Sequence, residues 1–336
     1  MRNRFMGTPL LWLLILLMAP RVVIGQDANV MAPAARQYLE HALRIMEAEA
    51  LNRGKVNWAQ IRADASRAAA GAQHPKDTHL AIAAALRALG DNHSGFMPAV
   101  VELPGGLEVN LETIVTGQAR PGPVSRRIGA RVGYVSVPGF SGAGATDFAE
   151  QILDRIMDVD GPAICAWIVD VRGNTGGNMW PMLQGLSPVI GDGIPGYFVA
   201  PDSSWTGWRV ETERVGNRKL ASDRVAVAIL HGSETASSGE AVVVAFRGRP
   251  ETRTFGQPTR GLSTANRSIP LSDGARMILT VAVFADRDRT IYGKTIAPDE
   301  LIASDTPEDH VFAIVEEWLL RQPACAKDND GDITMR

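Results

Sequence analysis

Thr235-Ala236-Ser237-Ser238-Gly239-Glu240 sets two adjacent serines between two apolar runs. The run before it, Val225–Leu230, is short and β-branched and stops at His231-Gly232, so it reads as a buried strand. The run after it, Ala241–Phe246, begins directly behind small hydroxyl residues, which are helix N-cap types. A hydroxyl on a strand-to-helix turn is open on one side and lies beside unpaired backbone N–H groups and the positive helix end. That position suits a nucleophile whose attack creates an oxyanion. An ordinary Ser-Ser cap accounts for the same six residues, so the segment needs company.

A second segment, Asp170-Val171-Arg172-Gly173-Asn174-Thr175-Gly176-Gly177, follows another buried apolar run, 163–169. Glycines at a strand end allow positive φ and close backbone approach, and their N–H groups can line an anion-binding concavity. A phosphate loop would need a following Lys-Ser/Thr, which is absent. A plain tight turn is the structural alternative.

A nucleophilic serine needs a base. The lysines after Ser237 are only Lys294 and Lys327, with none in the fifty-odd residues behind it. Of the six histidines, His41 lies in a periodic helix, His79 opens one and His310 sits in the first turn of another. His74 precedes Pro75 in a polar loop, and His231 ends the strand leading to the serine. His93 lies in Gly90-Asp91-Asn92-His93-Ser94-Gly95-Phe96, a polar loop just past a helix end. A histidine there can be held by neighbours and still face a cleft, so His93 is the candidate base.

The elements that must position these residues follow from periodicity. Leu39, Leu43, Met46 and Ala50 repeat with helical spacing; Trp58, Ile61 and Ala65 begin a second helix; a third, Leu80 to Leu89, ends before Gly90, a C′ residue. Residues 33–105 therefore read as a helical segment carrying the His93 loop. From 106 to 322 the pattern is α/β: strands at 134–137, 163–171, 225–230, 267–271 and 277–284, a hairpin turn at Ser272-Asp273-Gly274, and a helix over 146–157 with Phe148, Ile152 and Ile156 on one face. A last helix has Thr306 as N-cap and Pro307 at N1, with Val311, Ile314, Val315, Trp318 and Leu319 inward. Trp205 and Trp208 line a groove or lie in core, with core favoured.

The N-terminus is of another kind. Arg2 and Arg4 precede the apolar run Leu10–Met18, and Val23-Ile24-Gly25 offers a cleavage site, so residues 1–25 read as a signal peptide. An uncleaved N-terminus would instead allow membrane association. The mature chain is thus expected to be exported. Cys165 and Cys325, the only cysteines, could then pair or stay free. At 336 residues, 45% hydrophobic and net charge −3, the chain has ample core and no electrostatic case for nucleic acid. Asp328-Asn329-Asp330-Gly331-Asp332 lacks the other ligands of a calcium loop, and 323–336 reads as a flexible tail. No metal or organic cofactor is implied.

Taken in order, Asn92-His93-Ser94-Gly95-Phe96, Gly133-Tyr134-Val135, Asp170-x-Arg172-Gly173-Asn174-x-Gly176-Gly177, Thr235–Glu240, Gly256-Gln257-Pro258-Thr259-Arg260-Gly261 and Pro298-Asp299 resemble the C-terminal processing peptidase family, with its tail-specific protease and tricorn-core relatives. The resemblance covers roughly residues 85–305. It implies a crotonase-like layered α/β core, here with an N-terminal helical bundle. About 37 residues separate Phe96 from Tyr134, too few for the PDZ domain of other members, since a domain needs roughly 50. The implied nucleophile is Ser237, with an oxyanion hole from Ser238 and Gly176 or Gly177. Leu262 stands where the tail-specific branch carries its lysine. Asp91-Asn92-His93-Ser94 matches the histidine segment of the tricorn-like branch, whose further glutamate aligns with Tyr292. The pattern is most similar to the nisin-resistance-type Ser–His branch. The implied activity is a serine endopeptidase acting on peptide or protein substrates. A non-catalytic relative binding peptides or lipophilic ligands in the same cleft is the alternative. An esterase ranks last, because the Gly-x-Ser-x-Gly elbow is missing.

Overall fold

A computed structural model describes residues 29–103, 107–110 and 121–326. The signal-peptide segment and the Asp328–Asp332 tail lie outside the described residues. Three helices come first: α1 (Pro33–Glu49), α2 (Trp58–Ala68) and α3 (His79–Ala88). Leu39, Leu43, Met46 and Ala50 are all buried, as their spacing predicts. Gly90 takes φ +68 just past α3, the left-handed C′ conformation that its place in the sequence anticipates. The short strands β1 (Gly95–Met97), β2 (Val100–Leu103) and β3 (Leu107–Asn110) follow.

The remainder forms two sheets. One has six strands in the order β13-β10-β9-β6-β5-β4. They are β4 (Val124–Ile128), β5 (Val132–Ser136), β6 (Ala166–Asp170), β9 (Ala226–His231), β10 (Thr252–Gly256) and β13 (Glu300–Leu301). All pairings are parallel except that of β4. Every residue of β6 and β9 is buried, because both faces are covered. Trp167, Val169, Val227 and Ile229 face α4 (Ala145–Val159), α5 (Met179–Gly185) and α6 (Ser238–Phe246). The alternate residues Ile168, Ala228 and Leu230 face α7 (Glu308–Leu320).

The second sheet is antiparallel. β12 (Arg276–Asp286) is its spine, pairing with β1, β11 (Thr264–Pro270) and β7 (Gly196–Val199), and β8 (Trp205–Gly207) pairs with β7. Ile269, Leu271, Met277 and Leu279 pack into the core of the helical segment. Tyr38 Oη donates to Asp273 Oδ1 at 2.6 Å, and His79 Nε2 meets Asp273 Oδ2 at 2.6 Å, so the β11–β12 turn is also tied to α1 and α3. The loop after α3 is thereby held against the second sheet.

Two local expectations change, and one open alternative is decided. Helix α7 starts at Glu308 with Pro307 as N-cap and no side-chain cap, one residue later than the Thr306 cap implied. Its buried face carries Phe312, which packs with Ile168, Ala228 and Leu230, while Ile314 is exposed. Trp208 is buried core but Trp205 lies on the surface of β8. Cys165 and Cys325 form a disulfide, which ties the start of β6 to the segment after α7.

Candidate active site

β6 and β9 are neighbouring parallel strands, so their C-terminal ends lie side by side. The segments following them, 171–177 and 232–239, meet there. Three hydrogen bonds join them: Thr235 Oγ1 to Val171 O at 2.8 Å, Ala236 N to Asn174 O at 3.0 Å, and Ser238 Oγ to Gly177 O at 2.6 Å. The first loop is braced from its own strand. Arg172 donates from Nη2 to Asp170 Oδ2 at 2.6 Å and from its backbone N to Asp170 Oδ1 at 3.0 Å, and Tyr134 Oη donates to Asp170 Oδ2 at 3.0 Å. Asn174 is fully buried; its Nδ2 donates to Val137 O and its Oδ1 accepts from Gly176 N.

Ser237 is the N-cap of α6 at φ 51, ψ −114, a backbone state rarely taken by a residue with a side chain. Its N–H donates to Glu240 Oε2 at 2.8 Å, so the Glu240 half of a capping box is present. Gly176 lies against the serine: a Cβ built on it would stand 2.9 Å from Ser237 Cβ. Among the described residues, the N–H groups of Gly177 and Ser238 meet no protein acceptor, whereas that of Gly176 is bonded to Asn174. These donors belong to the residue after the serine and to the residue after Gly176, which packs on Ser237 Cβ.

Glu240 does more than cap. It is fully buried, and besides Ser237 N it accepts from Thr259 Oγ1 at 2.6 Å, Gly261 N at 3.0 Å and Leu262 N at 2.7 Å. Burial raises its pKa, and these four bonds oppose the shift by favouring the carboxylate. One carboxylate therefore fixes the serine turn to the 259–262 loop. Two residues beyond Leu262, β11 begins at Thr264.

His93 stands at the other end of that connection. Its Nδ1 lies 2.7 Å from Thr264 Oγ1, and Asn266 Nδ2 donates to its carbonyl at 3.1 Å. Asp91, two positions before His93, bonds the loop and not the ring. Asp91 Oδ1 accepts from His93 N and Ser94 N, and Oδ2 from Ser94 Oγ. Burial lowers the His93 pKa, favouring the uncharged ring, with Asp91 pulling the other way. Tyr292, aligned with the tricorn-like glutamate, donates to Asp286 Oδ2 at 2.8 Å. Thr264, Glu240 and Asn174 are the site residues that the sequence did not single out for these tasks. Only Glu240 carried a signal, the Ser-x-x-Glu spacing.

Ser237 thus caps a helix on a strand–turn–helix, and His93 is held against β11 of the second sheet, on a layered α/β frame. Residues 131–302 match peptidase family S41. The chain belongs to that family and is a serine peptidase. It is 26% identical over 282 residues to the nisin-resistance protein of Lactococcus lactis subsp. lactis, covering 80% of this chain and 83% of that one. It is 23% identical over 214 residues to the chloroplastic carboxyl-terminal-processing peptidase 2 of Arabidopsis thaliana, covering 61% of this chain and 40% of the relative. Among solved structures, a lipoprotein from Streptococcus agalactiae superposes with TM-score 0.73 at 22% identity over 88% of this chain and 99% of its own. The photosystem II D1 C-terminal processing protease superposes with TM-score 0.56 at 14% identity, over 87% and 98% respectively.

Proposed function

We propose that the protein is an exported serine endopeptidase working through a Ser237–His93 dyad. Ser237 Oγ attacks a peptide carbonyl carbon while His93 Nε2 takes the hydroxyl proton. The tetrahedral oxyanion is held by the N–H groups of Gly177 and Ser238, each such donor being worth ~3 kcal/mol in the transition state. The Gly176 N–H serves Asn174, so Gly176 contributes by leaving room for the nucleophile. His93 then passes its proton to the leaving amine, the C–N bond breaks, and an acyl-enzyme remains. Water, deprotonated by the same imidazole, cleaves the ester and restores the serine.

In this reading the helical segment 33–105 delivers the base and the core 106–322 delivers the nucleophile and oxyanion donors, while Cys325 of the 323–336 segment, expected to be a flexible tail, is buried and bonded to the core through Cys165. Export is supported by the Leu10–Met18 segment behind Arg2 and Arg4 and by the Cys165–Cys325 disulfide, a bond at home in oxidising compartments. An uncleaved N-terminus would anchor the protein at a membrane; among the described residues no helix is long and apolar enough to cross one.

The observation that carries the proposal is Ser237 at φ 51 with Gly176 packed on its Cβ and, among the described residues, no acceptor for the N–H groups of Ser238 and Gly177. Fluorophosphonate labelling and peptide turnover, read by mass spectrometry on the wild type, Ser237→Ala, His93→Ala and the double variant, test it. Labelling at Ser237 is expected, as is loss of several orders of magnitude in kcat for each single change with little further loss in the pair. Full turnover by either single variant would refute the dyad.

A further inference from the structure

The identity of the group behind the imidazole follows from the loops around His93. Its ring nitrogen Nδ1 has one partner, the Thr264 hydroxyl, at 2.7 Å. Thr264 is buried at the start of β11. Two residues on, Asn266 holds the His93 carbonyl, and Asn266 Oδ1 in turn accepts from Thr280 Oγ1 at 2.9 Å. Thr264 and Asn266 flank the register shift in the β11–β12 pairing, and β11 holds His93 by ring and backbone together. β11 supplies the two groups bonded to His93, Thr264 and Asn266, and β12 supplies Thr280, which bonds the neighbouring Ser94; all three are uncharged. Asp91, on the loop itself, is the charged group acting on the ring, and its oxygens are engaged by His93 N, Ser94 N and Ser94 Oγ.

We propose that Thr264 is the positioning residue of the dyad: its oxygen accepts the Nδ1 proton of His93 and leaves the Nε2 lone pair for the Ser237 hydroxyl. The inference rests on the dyad reading. The opposite polarity, with the threonine donating to Nδ1, would put the proton on Nε2 and remove the base. A hydroxyl fixes tautomer and ring plane as a carboxylate does, but it adds no negative charge behind the imidazolium that forms during attack. The base therefore keeps a low pKa, and the enzyme works at pH values where a carboxylate-backed histidine is protonated.

Nitrogen-15 NMR of the histidine rings in the intact wild-type protein reads the tautomer without any need for turnover. A proton on His93 Nδ1 is expected, and a neutral ring protonated on Nε2 would overturn the proposal. Three variants give the kinetic test. Thr264→Val should lower kcat by about 10- to 100-fold with KM little changed, and Thr264→Ser should restore most of it. Thr264→Asp should move the acid limb of kcat/KM upward by about 1–3 pH units, the range for an opposite charge beside an ionisable group. Wild-type kcat in Thr264→Val, or an unmoved acid limb in an active Thr264→Asp, would overturn it. Failure of the dyad is separately visible as retained activity in His93→Ala.

Discussion

Gly176→Ala and Gly173→Ala form a matched pair within one loop, and the structure predicts opposite outcomes for them. At Gly173 a Cβ would meet nothing within 4 Å, and the backbone needs no positive φ. At Gly176 the backbone has φ +107, and a Cβ would stand 2.9 Å from Ser237 Cβ and 3.2 Å from Ala236 O. Ordinary carbon contacts begin near 3.4 Å, so the serine or the glycine loop must yield by half an ångström or more. The loop is held by the Asn174 bonds and by Ala236 N on Asn174 O, which leaves the serine turn as the part that gives. The backbone state alone costs an alanine about 1–3 kcal/mol. Displacing the nucleophile by a fraction of an ångström should lower kcat by about 10- to 100-fold, since a 1 Å misplacement costs of the order of 100-fold. Gly173→Ala should stay within ~0.5 kcal/mol of wild-type stability, with wild-type kcat. Thermal unfolding and peptide turnover measured side by side give both numbers. Wild-type kcat in Gly176→Ala would mean that the glycine does not shape the nucleophile's surroundings.

Two further outcomes concern stability. His231 is fully buried, neither ring nitrogen has a partner among the described residues, and desolvation lowers its pKa from 6.5 to about 4. The unfolded chain takes up this proton below about pH 6.5 and the folded one does not, so the protein should lose roughly 3 kcal/mol between pH 6.5 and 4 through this residue; urea unfolding of His231→Leu should show a correspondingly shallower slope, and an unchanged slope would clear His231. The Cys165–Cys325 bond spans 160 residues of chain, so Cys165→Ala/Cys325→Ala should unfold about 4–5 kcal/mol more easily on the chain-entropy estimate. Its kcat should not change, because Cys165 precedes β6 while the site lies past the other end of that strand, and a lowered kcat would show coupling between the two ends.

The fold was legible where one interaction dominates. Val225–Leu230 and the run into Asp170 are apolar because helices cover both faces of β9 and β6, and the Phe148, Ile152, Ile156 stripe of α4 is buried as its spacing demands. Strand β10 escaped notice because Thr252-Arg253-Thr254-Phe255-Gly256 is mostly polar; it owes its place to parallel pairing with β9 and to Asp299, which accepts from Thr254 N at 2.8 Å. Strand β7 is four residues long, and its pairing with β12 and β8 makes it a strand. Pairing across long sequence separations leaves no local periodicity to read.

At the site, residue types were legible but their partners were not. An acid two positions before a histidine reads as that histidine's carboxylate, and an acid three positions after a serine reads as a helix cap. Asp91 instead secures a turn by its backbone donors. Glu240 caps and also carries the loop that ends at Thr264. Both acids are thus committed to N–H groups of the chain, which stabilises the loops and removes the acids from the imidazole. A histidine so placed can be oriented only by a neutral group, and a threonine in a polar strand has no sequence feature that marks it. The same arrangement bonds no carboxylate to the ring, so Asp91 acts on it only through space; a carboxylate bonded there would favour the protonated ring and silence the base in acid. The division of labour between acids and hydroxyl therefore sets the pH range of the proposed dyad, and exchanging Thr264 for an acid is the change that should shift it.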